Sequence, residues 1–97
     1  MPQGKVQHLA DDADTVDAAL RALLSDVLGL AESRVATFCG ATELFGALPE
    51  LDSMAVATLL TEMEERMGFV IEDDEVEAED FMTYGRLLAF TRRKAAG

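Results

Sequence analysis

The 97-residue chain contains one cysteine and one histidine, and the scarcity of both excludes several kinds of chemistry. Cys39 has no second cysteine with which to form an internal disulfide or an all-cysteine metal site. His8 lies in a polar N-terminal stretch and no Gly-x-Ser-x-Gly motif is present, so a serine or cysteine nucleophile has no evident general base. We therefore expect a protein that is not itself an enzyme.

Long apolar runs are also missing from the sequence. The longest are a few residues, such as residues 69–71, whereas a bilayer-spanning helix needs roughly 20 apolar residues. The N-terminus has no apolar core of the kind that a signal peptide requires. Together with the single cysteine, these absences predict a cytoplasmic protein without a membrane span.

Positive charge is scarce, and the net charge of −11 is unevenly distributed. Residues 52–80 carry 11 acidic side chains and one basic, whereas residues 81–97 carry four basic and no acidic. Nucleic-acid binding requires lysine and arginine to neutralise phosphates, so it is not expected. An acidic surface should instead attract basic protein surfaces, although it also serves solubility alone.

The acidic run at residues 72–80 does not have the pattern of a calcium-binding loop. If Asp73 took the first position, Ala78 would stand where a glycine is needed and Tyr84 where a glutamate is needed. Blocks of like charge are usually solvated or form interaction surfaces. No dedicated metal site is therefore expected.

Apolar periodicity predicts an all-α fold: a small antiparallel four-helix bundle with three main helices and one short helix. Residues 1–13 are predicted to be a flexible tail and residues 14–94 the domain. We predict a first helix capped by Asp14 or Thr15, followed by a packed loop with one helical turn over residues 31–51. A second helix is predicted over 53–67, and residues 69–71 are predicted to be an extended segment buried between helices. A short helix is predicted within 72–82, and a last helix, capped by Thr83, from Tyr84 to about Lys94.

The junction between the packed loop and the second main helix reads Leu51-Asp52-Ser53-Met54. An Asp-Ser pair at a helix start most simply serves as a cap, with Asp52 at the N-cap position. A serine in the first helical turn after a loop is also exposed by its geometry. A phosphate ester on Ser53 would lie near the positive end of the helix dipole and several free backbone N–H groups.

The same stretch closely resembles the Asp-Ser-Leu or Asp-Ser-Met motif of acyl carrier proteins. The motif opens a helix with an apolar stripe and is followed by GFVIEDDEV, similar to the glycine, apolar and acidic segment after that helix in the family. FMTYGRLLAF and a terminal basic turn are similar to the family's last helix. The resemblance covers roughly residues 14–94, including the amphipathic helix and long loop ahead of the motif.

The resemblance implies that Ser53 would be esterified by 4′-phosphopantetheine, which a separate phosphopantetheinyl transferase takes from coenzyme A. Asp52 would help to position Ser53 for that transferase. The terminal thiol would carry an acyl or aminoacyl group as a thioester and deliver it to partner enzymes, such as activating ligases, acyltransferases and synthases with basic docking patches. The docking residues it implies are Met54, Glu62, Glu64, Glu65, Asp73, Asp74 and Glu75.

One feature departs from the family pattern: residues 54–61 contain no carboxylate, whereas fatty-acid-type carriers usually have acidic residues close behind the serine. The pathway therefore stays open between fatty-acid, polyketide and dedicated pathways, including D-alanyl or peptidyl-type carriers. An acidic adaptor with the carrier fold that never receives the prosthetic group is the alternative. A stand-alone monomer is expected, with an excised megasynthase domain as the other possibility.

Overall fold

The structure, a computed structural model, describes residues 12–96, which form four α-helices and no strand. The α-helices are α1 (Asp12–Leu28), α2 (Glu32–Val35), α3 (Ser53–Met67) and α4 (Tyr84–Ala96). Two 3₁₀ segments, Asp73–Glu75 and Ala78–Phe81, lie between α3 and α4. The all-α helical fold predicted from the periodicity is confirmed.

The core forms where α1 packs against both α3 and α4. Its side chains recur at the three- and four-residue spacing that places them on one face of each helix. The buried apolar residues of the long helices are Leu20, Leu23, Leu24 and Leu28 of α1, Leu59 and Met63 of α3, and Tyr84, Leu87 and Phe90 of α4. The second 3₁₀ segment adds the buried ring of Phe81 and also contacts α4.

The long connection between α1 and α3 is a packed loop with one short helix, as predicted. Its buried apolar side chains are Leu30, Val35, Phe38, Leu44, Leu48 and Leu51. Its backbone is held against the 3₁₀ region, because Leu44 N–H donates to the Met82 carbonyl at 2.8 Å and Phe45 N–H donates to the Phe81 carbonyl at 2.9 Å. The loop therefore has a fixed position relative to the segment that precedes α4.

A close backbone approach joins the same loop to the start of α4. Tyr84 N–H donates to the Thr42 carbonyl at 2.8 Å, and Gly85 N–H donates to the Gly40 carbonyl at 3.0 Å. A Cβ atom on Gly85 would lie 2.8 Å from the Gly40 carbonyl oxygen, closer than a side chain tolerates. Glycine at position 85 is thus required by a contact with a residue far away in the sequence.

A polar network joins α1, the loop and α4. The Arg21 guanidinium donates to the Val35 carbonyl at 2.7 Å and the Phe38 carbonyl at 3.0 Å, and it lies 4.6 Å from the centroid of the Tyr84 ring. The Tyr84 hydroxyl donates to the Asp17 carboxylate. Burial raises the pKa of Asp17, but hydrogen bonds from Tyr84 and Arg21 outweigh it, so the net pKa lies below its usual range.

The bounds of α3 and its N-cap agree with the sequence prediction. Asp52 is the N-cap, and Gly68 ends the helix at φ 76°, in the left-handed conformation that glycine adopts without strain. At the start of α4, Arg86 N–H donates to the Thr83 hydroxyl at 3.2 Å, as expected for a capping threonine. Residues 69–71 belong to no strand, as predicted, but they are not buried between helices: Val70 is exposed, and Phe69 and Ile71 are only partly buried.

Two predictions of secondary structure were wrong. Helix α1 already includes Asp12, so Asp14 and Thr15 lie inside the helix and do not cap it; the part of the predicted tail up to residue 11 lies outside the described residues. The single short helix expected within residues 72–82 is instead the pair of 3₁₀ segments.

The break between the 3₁₀ segments has a local cause. Glu72 N–H donates to the Glu75 carboxylate and Glu77 N–H donates to the Asp80 carboxylate, both at 2.8 Å. In each case the backbone N–H at the start of a short turn is bound by the carboxylate three residues later, which closes that turn. Val76, between the two turns, is extended at φ −122° and ψ 140°, which is incompatible with a continuous helix.

Candidate functional site

Ser53 is the first residue of α3 and its side chain is exposed. The preceding residue, Asp52, has an extended backbone, and its Oδ1 accepts a hydrogen bond from Ala55 N–H at 2.8 Å. This bond satisfies one of the N–H groups that a helix start leaves without partners and fixes the direction in which the helix begins. The Ser53 hydroxyl is therefore presented to solvent at a rigid helix terminus.

An open cavity of about 260 Å³ lies beside Ser53. Val56 and Leu60 belong to its lining and follow Ser53 at offsets of three and seven residues, so all three lie on one face of α3. The remaining lining residues are Phe45 of the loop and Val76, Glu77, Ala78 and Phe81 of the 3₁₀ region. The cavity is therefore mostly apolar, and the serine stands among its lining residues.

The lining residues outside α3 belong to the loop and the 3₁₀ region, which are held in place by two sets of contacts. In the first, Phe45 N–H bonds to the Phe81 carbonyl, which joins two residues that both line the cavity. In the second, Lys94 Nζ of α4 lies 2.8 Å and 2.9 Å from the two carboxylate oxygens of Glu75. A hydrogen bond from the Glu72 N–H to the Glu75 carboxylate, together with Lys94, lowers the pKa of Glu75.

The residues implied for docking have different surroundings. Met54, next to Ser53, is 79% exposed. The Glu62 carboxylate lies 3.0 Å from Nε of Arg66, which also reaches Asp26 of α1 at 2.9 Å. The Glu64 carboxylate accepts a hydrogen bond from Ile71 N–H at 2.7 Å, so one of its oxygens helps to hold the chain after α3.

The other implied docking residues lie farther along the chain. Glu65 is exposed, and so are Asp73 and Asp74 of the first 3₁₀ segment. Glu75 is exposed but is engaged by Lys94. Met54, Glu65, Asp73 and Asp74 are thus exposed, whereas Glu62, Glu64 and Glu75 also have contacts within the fold.

The sequence did not predict the cavity itself. The spacing of Ser53, Val56 and Leu60 was a usable signal on the α3 side, because offsets of three and seven residues place side chains on one helix face. Phe45 and the 3₁₀ residues had no such signal, since the loop and the 3₁₀ region are brought together by contacts between residues far apart in the sequence.

Two kinds of site are not found in the part of the chain that the structure describes. No group of three or more histidine, cysteine, aspartate or glutamate side chains is placed to hold a metal ion within that part. Among the helices of residues 12–96, none is both long and apolar enough to cross a membrane.

A solved structure resembles the chain in both sequence and fold. It is the solution structure of a holo acyl carrier protein from Nitrosomonas europaea, which is 40% identical in sequence and superposes with a TM-score of 0.74. The match covers 84% of this chain and 96% of that one. No family model and no curated protein matches the chain.

Proposed function

Because the chain belongs to the acyl carrier protein family, we propose that it carries an acyl or aminoacyl group as a thioester on 4′-phosphopantetheine attached to Ser53. The observation that carries this proposal is the exposed Ser53 hydroxyl at the start of α3, beside an open apolar cavity. The neighbour from Nitrosomonas europaea is a holo protein, which supports the same cofactor here. The prosthetic group supplies the thiol that holds the cargo.

The residues around Ser53 fit such a group. A phosphate ester on the Ser53 oxygen would lie at a helix N-terminus, where the dipole and the free N–H groups favour negative charge. Asp52 fixes that terminus through its bond to Ala55 N–H, and its carboxylate stands next to the modified residue. We infer that Asp52 positions Ser53 for the transferase.

The cavity fits an apolar cargo. A cavity of about 150 Å³ is enough to bind benzene, so about 260 Å³ leaves room for a chain of roughly ten carbon atoms. Burial of the acyl chain there would stabilise it by about 25 cal/mol for each Å² of apolar surface removed from water. Short cargo and a medium-length acyl chain are both compatible with a fatty-acid, polyketide or other dedicated biosynthetic pathway.

Docking is proposed to use two parts of the surface. The acidic side chains Glu62, Glu64, Glu65, Asp73, Asp74 and Glu75 attract basic patches of the transferase, of activating ligases and of acyltransferases or synthases, and raise encounter rates. Met54 makes the apolar contact beside Ser53, since an exposed methionine adapts to several partner surfaces. The carrier would act as a cytoplasmic monomer.

The decisive experiment is modification by a broad-specificity phosphopantetheinyl transferase with coenzyme A and magnesium, followed by intact-mass spectrometry. One phosphopantetheine mass should be added to the wild-type chain and none to Ser53→Ala. Ser33→Ala is the matched control, because Ser33 is also exposed and helical but lies in α2, and this variant should still be modified. An unchanged wild-type mass, with a known carrier modified in parallel, would identify an unmodified adaptor instead.

A further inference from the structure

The cavity beside Ser53 contains a single charged residue in its lining, Glu77. Its backbone is fixed by Asp80, since Glu77 N–H donates to the Asp80 carboxylate at 2.8 Å and Asp80 N–H donates to the Glu77 carbonyl at 2.9 Å. Glu77 is exposed and its side chain takes part in a capping box with Asp80, so this residue meets the cavity at its solvent-facing edge. An anionic group thus stands at the rim of an otherwise uncharged lining.

The charged side chains next to Glu77 in the sequence are all acidic. Residues 72–80 contain seven acidic side chains and no basic one, and this segment contributes Val76, Glu77 and Ala78 to the cavity wall. Nearby like charges add to the repulsion of an incoming anion, and a cavity with low-dielectric walls strengthens that effect. Lys94, which reaches this segment from α4, is paired with Glu75.

We propose that Glu77 makes the cavity selective by charge, so that uncharged acyl chains are seated in it and acyl chains that end in a carboxylate are held outside. This inference rests on the proposed attachment at Ser53. An uncharged chain can bury its apolar surface against Val56, Leu60 and Phe81 without contact between charges. A terminal carboxylate would lose water and approach the Glu77 carboxylate at the same time, and both changes are unfavourable.

The charge of the cargo can be varied without changing its length. The transferase would load the chain from hexanoyl-coenzyme A or from adipoyl-coenzyme A, which differ only in a terminal methyl versus carboxylate. The readout is the rate at which hydroxylamine cleaves the thioester on the protein, divided by the rate for the same thioester on coenzyme A. A seated chain shields its thioester, so we expect the hexanoyl ester to be protected about tenfold and the adipoyl ester to be nearly unprotected.

The variant Glu77→Gln tests whether this residue causes the difference. Glutamine keeps the size and polarity of the side chain but removes its charge, so protection of the adipoyl ester should rise at least threefold while the hexanoyl ester is unchanged. Glu79→Gln is the matched control, because Glu79 is an exposed carboxylate of the same segment that does not line the cavity. It should leave both rates as in the wild type.

The outcomes separate this inference from the proposed function. Equal protection of the two esters on the wild-type chain would overturn charge selection, and so would Glu77→Gln and Glu79→Gln having the same effect. In either case the added acyl-phosphopantetheine mass would still support Ser53 as the attachment site. Absence of any added mass would overturn the proposed function and this inference together.

Discussion

Met54 and Met63 belong to the same helix and have opposite surroundings. They are nine residues, or about two and a half turns, apart on α3. Met54 follows Ser53 and is 79% exposed, whereas Met63 is fully buried in the core. The same flexible, apolar side chain is thus available to a partner at one end of the helix and to the fold at the other.

Charge follows the same division along α3. The first nine residues carry no charged side chain, whereas the remaining six include Glu62, Glu64 and Arg66, each with a contact that holds the helix end in place. The end with Ser53 is thus left open, and the distant end is joined to α1 and to the chain after Gly68. The proposed attachment at Ser53 needs this arrangement, because the serine must be accessible while the helix that presents it stays fixed.

The largest predicted difference is between truncations of the two methionines. Met63→Ala should lower the free energy of unfolding by about 2–5 kcal/mol, because it leaves a cavity in the core. Met54→Ala should change it by no more than about 0.5 kcal/mol, since exposed positions away from special features tolerate substitution. Urea unfolding followed by circular dichroism measures both. Similar losses for the two variants would contradict the division of α3 into an open end and a buried end.

The bounds of α3 were predictable because their signals are local. Asp52 caps the start, the buried Leu59 and Met63 recur at helical spacing, and Gly68 ends the helix in a conformation that glycine favours. The region from Glu72 to Met82 was not predictable in detail, because its acidic residues fit a helix equally well. Local bonds at Glu72 and Glu77 break the helix, and the position of this region against the loop depends on bonds from Leu44 to Met82 and from Phe45 to Phe81, 38 and 36 residues apart in the sequence.

The candidate site also has a part that the sequence indicated and a part that it did not. Capping by Asp52 and exposure of Ser53 follow from their position at a helix start, and the resemblance over roughly residues 14–94 pointed to Ser53 as the attachment site. The cavity could not, because its walls come from the loop, α3 and the 3₁₀ region, which only the folded chain brings together. The sequence does not distinguish Glu77 from the other acidic residues of 72–80, because only the folded chain places it at the cavity.

The open end of α3 depends on its cap. Asp52→Ala removes the acceptor for Ala55 N–H and should lower the free energy of unfolding by about 1 kcal/mol. Asp52→Asn keeps an acceptor and should have nearly wild-type stability. If the Asp52 charge also positions Ser53, the Asn variant will still be modified more slowly by the transferase. Equal modification rates for Asn and wild type would limit Asp52 to capping.

Glu64 and Glu65, near the C-terminal end of α3, allow an effect on docking to be distinguished from an effect on folding. Glu65→Lys should reduce kcat/KM for phosphopantetheine transfer several-fold at low salt, where charge effects are largest, and leave stability unchanged. Glu64→Lys also removes the acceptor for Ile71 N–H and should lower stability as well. Transfer kinetics at two salt concentrations, together with thermal unfolding, distinguish the two. A Glu65→Lys variant with unchanged kinetics would argue against docking at this residue.

The smallest expected effect concerns Asp17, whose carboxylate helps to anchor α1 to α4 and lies apart from the residues that line the Ser53 cavity. Because its pKa is lowered in the folded protein, the ionised form stabilises the fold above the unfolded-state pKa near 4, and this contribution is lost as the pH falls below that value. Tyr84→Phe removes one donor to Asp17, so it should weaken the decline of unfolding free energy between about pH 5 and pH 3. Modification of Ser53 at neutral pH should proceed at the wild-type rate in this variant, since the network stabilises the anchored side of the bundle. A slower modification rate, with an unchanged pH dependence of the unfolding free energy, would mean that Tyr84 instead affects the N-terminal end of α3, where Ser53 lies.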